Sequence, residues 1–382
     1  MKNSILDFEK CANCGACYNI CPKKAITLNE NNLYYELQVD NDKCISCGIC
    51  KQVCPVNSPI KNQKVINAYG AIHNNEEIVL RSSSGGVFSA IAQYVIDNGG
   101  IVYGACYSDD FKNVNICSSE THTLEQICRS KYVESRVNQS FLEVKEKLHG
   151  NKLVLYCGAP CQIAGLKRFL KEDYDNLITC DFSCGGLPSH KMYQEYLSYI
   201  KKKLRAKSIT EVNFRPKIYG WEKYAIKIKA SNKVYKKWAF ADVYFSCFLK
   251  QRLSIRDYCY ECSFSNNHYS DIILADLWKH NSISKIKNDH KGISLVITNS
   301  YKGEEIINNL NKTVSFTVLD KEEASYNLTD RLLNEKLFSE HKDFVVKSQK
   351  NGFIKAMKTY KLESSFMFCC RHYVKKFLRK DR

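Results

Sequence analysis

The chain has 382 residues, 44% hydrophobic and 12% aromatic, with a formal charge of +17. At ~150 residues per domain it holds two or three domains with cores of their own, which excludes a disordered chain. Six prolines and seventeen glycines exclude collagen-like architecture; no apolar run reaches the ~18 residues of a membrane span, and the start, with Asp7 and Glu9, lacks an apolar signal segment.

Eight of the twenty cysteines fall in the first 54 residues. A disulfide framework suits small secreted chains, so metal ligation is the better reading. Cys11, Cys14, Cys17 and Cys21 form C-x2-C-x2-C-x3-C before Pro22; Cys44, Cys47, Cys50 and Cys54 repeat it before Pro55. This is the two-cluster bacterial ferredoxin spacing, in which the fourth cysteine of each run ligates the other cluster. Cluster one then takes Cys11, Cys14, Cys17 and Cys54, and cluster two takes Cys44, Cys47, Cys50 and Cys21. Zinc sites use other spacings. Gly15 and Gly48 permit the tight turns that aim N–H groups at sulfur. Between the runs a hairpin is expected around Asn29 to Asn32. Two clusters of about −2 each lower the charge to roughly +13, and a third to roughly +11. The surface stays basic and suits an acidic electron carrier; no zinc-finger or RNA-binding motif supports nucleic acid.

A new composition starts near Val65. Ser82 to Gly86 form a polar loop, followed by a helix from Val87 to about Asp97, stopped by Asn98, Gly99 and Gly100, and then by the strand IVYGACY. The loop, with Ser83, Ser84, Gly85 and Gly86, offers N–H groups and hydroxyls to a phosphate, although plain N-capping explains the same residues. GxGxxG is absent. An amphipathic stretch from Thr123 to Leu148 carries Lys131, which meets a phosphate or flavin edge or is simply solvated. Two strand–loop–helix units follow, Leu153–Cys157 before Cys161 and Leu177–Asp181 before Cys184 with a helix from Pro188 or Ser189. They imply a parallel sheet with both cysteines past the C-terminal strand ends, where open α/β sheets bind ligands.

From Ile209 the pattern favours strands, with a turn at Ser231 and Asn232. Cys259 and Cys262 form an isolated C-x2-C. Alone they fit a redox dithiol, half a metal site or buried thiols. With Cys161 and Cys184 they make four ligands for a third cluster; zinc or separate free thiols are the alternatives, and Cys157, Cys180 and Cys247 are spare candidates. Asp276 and His190 are the candidate acids, and Asp276 also fits a helix cap. The basic tail from Arg371 suits an acidic partner, a membrane surface or plain solvation.

SSSGGVFSAI, RSKY, YCGAPCQIAGLKRF, CGGLPS, RDYCYECSF, SDIILADLW and KGISLVIT, between residues 81 and 299, resemble the coenzyme F420 hydrogenase/dehydrogenase beta subunit family. The chain looks like a bacterial member preceded by a two-cluster ferredoxin module. The resemblance implies an iron–sulfur flavoprotein with FAD (FMN is the alternative). It matches Cys259 and Cys262 to the family's paired cysteines, Cys184 and Cys161 to two more, and Ser84, Gly85 and Gly86 to the flavin loop. Gly185 replaces the usual histidine and Ala275–Asp276 the frequent Gly-Asp, which speaks against coenzyme F420 as the acceptor.

The expected fold is α+β and α/β multidomain: a small ferredoxin-like domain (1–62), then a mixed α/β flavin-binding domain in two parts (63–205 and 206–358), then a basic tail (359–382). The expected activity is that of a cytoplasmic oxidoreductase, peripheral at the membrane through its tail. It passes electrons from an electron-donor protein such as ferredoxin or flavodoxin, through three 4Fe-4S clusters and a flavin, to an organic small-molecule acceptor, with a homo-oligomer allowed. The alternatives are a non-catalytic electron-transfer subunit and a metal-stabilised binding protein in polymer assembly.

Overall fold

The computed structural model describes residues 10–60, 64–250, 252–278, 289–326 and 335–360, with Ile286 and Leu328. The chain start and the tail from residue 361 lie outside the described residues.

The N-terminal module is built from two short helices and a hairpin. The helices α1 (Ala16–Ile20) and α2 (Ile49–Gln52) each follow a left-handed glycine, Gly15 at φ 84° and Gly48 at φ 75°. Strands β1 (Ile26–Asn29) and β2 (Glu36–Val39) pair antiparallel as expected.

The larger part is organised by one nine-stranded sheet. Its strands are β3 (Asn67–His73), β4 (Ile101–Tyr107), β5 (Val114–Ser118), β6 (Ser135–Arg136), β7 (Val154–Cys157) and β8 (Leu177–Phe182). Far down the chain it adds β12 (Ile272–Asp276), β13 (Ser294–Thr298) and β14 (Val314–Val318), in the order β14-β3-β13-β12-β8-β7-β4-β5-β6. Strands β4, β7, β8 and β12 run parallel, as strand–loop–helix units require. The sheet is nevertheless mixed, because β3 inserts antiparallel between β13 and β14. Residues before and after 206 therefore share one sheet. Between them lies a separate three-stranded meander, β9 (Ile209–Phe214), β10 (Ala225–Ala230) and β11 (Lys233–Trp238), with Ser231 at φ 49° in the expected turn.

Helices α3 (Glu76–Arg81) and α4 (Val87–Asp97) follow β3, and α4 spans the expected residues. The stretch from Thr123 to Leu148 is broken into α5 (Leu124–Ile127), β6 and α6 (Ser140–His149). The break at 128–139 carries Lys131 and Glu134 inward rather than leaving them on a solvated helix face. Helix α7 (Pro160–Leu170) starts with proline at its first turn, and α8 (His190–Leu204) is capped by Ser189, whose hydroxyl accepts the Met192 N–H. Among the described residues, no helix is long and apolar enough to cross a membrane.

Candidate functional site

Thiols of the two module runs approach one another across the module. Burial raises the Cys14 and Cys17 thiols, and the neighbouring thiols Cys11 and Cys54 raise them further. Burial also raises Cys50, and after it the nearby Cys47 and Cys21. Cys54 thus stands with the first run and Cys21 with the second. The Asn13 N–H donates to Cys11 Sγ at 3.3 Å and the Ala25 N–H to Cys21 Sγ at 3.3 Å, the contacts that stabilise cluster thiolates.

A second group of thiols surrounds one cavity. Cys161, Cys184, Cys259 and Cys262 line it together with Ala12 and Leu187. Cys161 comes from the first turn of α7, Cys184 from the loop after β8, and Cys259 from a 3-10 turn over Asp257–Glu261, with Cys262 next after it. The Leu187 N–H donates to Cys259 Sγ at 3.4 Å. Burial lifts the Cys161 thiol well above its ordinary value, and Cys262, Cys184, Cys14 and Cys259 add to this in that order. Cys14 belongs to the module, so the two thiol groups lie within electrostatic reach. The contact is close: a Cβ on Gly165 of α7 would lie 3.0 Å from both Cβ and Sγ of Cys14. The spare cysteines go elsewhere. Cys157 and Cys180 pair across β7 and β8, and Cys247 sits in a separate core with Phe245 and Leu253.

Between the two thiol groups lies a buried ion pair. Arg256 donates from Nε (3.2 Å) and NH2 (2.8 Å) to Glu134 Oε1, which also accepts from Asn13 Nδ2 at 2.8 Å. The guanidinium also reaches the Tyr35 carbonyl. Its positive charge lowers Cys11 against the larger effect of burial, and Cys11 and Cys259 both act on Arg256. The sequence carries Glu134 inside VESRV and Arg256 inside RDYC, 122 residues apart, and no local pattern couples them.

The module is docked, not tethered. Tyr34 donates its hydroxyl to the Ile255 carbonyl at 2.7 Å, and Arg136 pairs with Glu30 at 2.6 Å. His190 belongs to this interface. Its ring stacks on Tyr35 with centroids 3.7 Å apart, and Nε2 donates to the Glu30 carbonyl at 3.1 Å. These contacts explain the histidine structurally and leave the acid expected there without an open face. Burial lowers its pKa to about 4. Between pH 6.5 and about 4 the unfolded chain takes up this proton and the folded chain does not. Stability is therefore complete above pH 6.5 and falls by about 1.4 kcal/mol per unit below it. Denaturant titrations at pH 7 and pH 5.5 should show this loss, and His190→Phe should reduce it.

A third group of residues converges at the start of α4. Gly85 passes so near β3 and β13 that a Cβ would lie 2.3 Å from the Ala71 carbonyl oxygen. Ser83 Oγ accepts the Ser130 N–H at 2.9 Å, and Ser84 Oγ donates to the Ile293 carbonyl at 2.9 Å. Both hydroxyls therefore shape the loop, while no side chain caps the N-terminus of α4. Lys131 turns its ammonium onto the carbonyls of Ile127, Cys128 and Arg129 at 2.7–3.3 Å, closing the end of α5; burial lowers its pKa to about 8. Lys217, which no sequence motif singles out, donates to the Ser84 carbonyl at 2.8 Å, and burial followed by Arg215 lowers it to about 7. Asp276 accepts two bonds from Arg215 (2.6 and 3.1 Å) and one from Trp221 Nε1 (3.1 Å). Its carboxylate anchors Arg215 instead of standing open as an acid. Tyr132 and Phe248 lie between this region and the thiol cavity. Their rings are 5.4 Å apart, and Phe248 packs within 3.3 Å of where a Gly185 Cβ would be, next to Cys184.

Residues 10–58 match the 4Fe-4S dicluster domain, and residues 151–324 match the family described as the C terminus of the coenzyme F420 hydrogenase/dehydrogenase beta subunit. The N-terminal part is therefore a 4Fe-4S dicluster domain, and the part that follows it is similar to the C terminus of that beta subunit. It is 26% identical over 311 residues to a coenzyme F420-dependent sulfite reductase of Methanocaldococcus jannaschii, covering 80% of this chain and 47% of that protein. Over 38 residues it is 47% identical to an uncharacterized ferredoxin of the same organism, covering 9% of this chain and 49% of the ferredoxin. The chain spans about half the length of both curated relatives. A chain of the F420-reducing [NiFe] hydrogenase complex from Methanosarcina barkeri superposes with a TM-score of 0.45 at 17% identity, covering 76% of this chain and 91% of that one. These relatives are archaeal.

Proposed function

We propose that this chain is a flavin-dependent iron–sulfur reductase that takes electrons from a donor protein such as ferredoxin or flavodoxin and delivers them to a small organic acceptor. The observation that carries this reading is the convergence of Cys161, Cys184, Cys259 and Cys262 on one cavity beside Cys14. Four thiols on an apolar wall, one already accepting a backbone N–H, suit a 4Fe-4S cubane. Cys11, Cys14, Cys17 and Cys54 are assigned to cluster one and Cys21, Cys44, Cys47 and Cys50 to cluster two. When bound, the clusters supply one-electron storage and FAD supplies conversion between one-electron and two-electron chemistry.

The chain's own residues set the order of these sites. Helix α7 carries Cys161 into the cavity at its first turn and presses Gly165 on Cys14 one turn later. Phe248 and Tyr132 pack between the cavity and the loop at the start of α4. There the uncapped helix N-terminus suits the flavin phosphates, with Arg215 and Lys217 beside it. Asp276 is a positioning residue for Arg215. Twelve cysteines committed to iron favour the reducing cytoplasm. The relative's name makes coenzyme F420 a useful first compound to test, although only 47% of that protein is matched.

The test is anaerobic purification with iron, sulfide and flavin analysis. About twelve irons and one flavin per chain are expected; about eight irons without flavin overturn the reading. A second prediction concerns the module contact. Gly165→Val should push Cys14 away from α7 and slow flavin reduction by reduced ferredoxin about 10-fold or more, with iron content unchanged. Stopped-flow absorbance checks it.

A further inference from the structure

Six cysteines among the described residues lie outside the three thiol sets, and two of them meet a histidine. The ligand atoms of Cys106, Cys117 and His122 all lie within 4.8 Å of one another. The backbone explains the meeting. In the antiparallel pair β4–β5, Cys106 is opposite Asn115, so Cys117, two residues on, shares its face. Strand β5 then ends in a turn in which the His122 N–H donates to the Ser118 carbonyl at 3.0 Å, bringing the imidazole back beside the thiols.

The histidine ring is held by its neighbour in the turn. Thr121 Oγ1 lies 3.2 Å from the Ser118 carbonyl. Thr121 Oγ1 also lies 2.9 Å from His122 Nδ1, which holds the ring in place beside the thiols. Orientation of a ligating imidazole by a hydrogen bond from its other nitrogen is the usual arrangement at metal centres. Cys106 is buried, while Cys117 and His122 are half-buried, so an ion has a path in from solvent.

We propose that Cys106, Cys117 and His122 bind a zinc ion. Two thiolates and one imidazole are a zinc donor set, and they leave a fourth tetrahedral position for water or another ligand. Each thiol releases its proton to solvent on binding, and no electron is transferred. The ion would tie the β4–β5 pair to the turn before α5. The site uses none of the twelve cysteines assigned to iron and stands whether or not a flavin is bound.

The test uses the full chain, purified anaerobically with its clusters in place, incubated with one equivalent of zinc chloride and passed over a desalting column. Wild-type protein should retain about one zinc per chain, and X-ray absorption at the zinc edge should show two sulfurs at about 2.3 Å and nitrogen at about 2.0–2.1 Å. His122→Ala and Cys117→Ser should each lose the zinc and keep the iron. His122 is on a half-buried turn, so its variant is expected to fold. Wild-type protein that retains no zinc overturns the proposal. So do variants that hold as much zinc as wild type, or a shell of four sulfurs, which would place the ion on cluster thiols.

Discussion

Cys262→Ser should remove about four irons per chain and leave about eight, and reduction of an organic acceptor should fall on the order of 100-fold or more. Cys262 is one of four thiols around the cavity, and its neighbours there are Cys161, Cys184 and Cys259. The serine is nearly isosteric, so the wall is kept and the change is in the donor set. The dicluster module has its own eight cysteines and its own small core around Cys17, Ile26 and Leu37. Its low-temperature EPR signal on reduction should therefore survive. Iron analysis with activity assays of both proteins checks this; a variant that keeps all its iron and its turnover would remove Cys262 from the proposed site.

Arg256→Met should destabilise the folded chain by about 3–5 kcal/mol, the cost of leaving a buried charge without its partner. Glu134 is 1% exposed and depends on Arg256 and Asn13 for its hydrogen bonds. The loss would act at the docking surface, because Arg256 also holds the Tyr35 carbonyl and lies over the Tyr34 ring at 5.4 Å. Adding Glu134→Gln should recover a substantial part of the loss, since the uncompensated charge is then gone. Anaerobic denaturant titrations of the single and double variants provide the measurement. Equal stability of the two would mean that the carboxylate is not the source of the loss. The same guanidinium stands between Cys11 and Cys259, so its removal should also lower the reduction potentials of the adjacent clusters.

What could be read from the sequence was local. Helix α4 announces both its ends, with a serine–glycine loop before Val87 and Asn98–Gly99–Gly100 after Asp97. The β10–β11 turn at Ser231 and Asn232 and the helix starts at Pro160 and Ser189 follow from the same chemistry of turns and caps. The convergence of the four thiols on one cavity was legible because two of them sit just beyond strands and the other two form an isolated C-x2-C. Pairings between distant segments left no trace. Strand β3 lies between β13 and β14, more than 200 residues away in the chain, and nothing local in NAYGAIH records it. Charged residues in polar surroundings misled for the same reason. Lys131 read as either a contact to a phosphate or flavin edge or a solvated lysine; the break in its amphipathic stretch instead turns its ammonium onto nearby carbonyls. His190 read as an acid, yet a hairpin about 160 residues earlier covers its ring.

The most direct measurement of the central claim is an anomalous iron map from crystals grown anaerobically. The account predicts three iron sites per chain, two within the module and a third enclosed by Cys161, Cys184, Cys259 and Cys262. Two sites in the module, with no iron in that cavity, would contradict it.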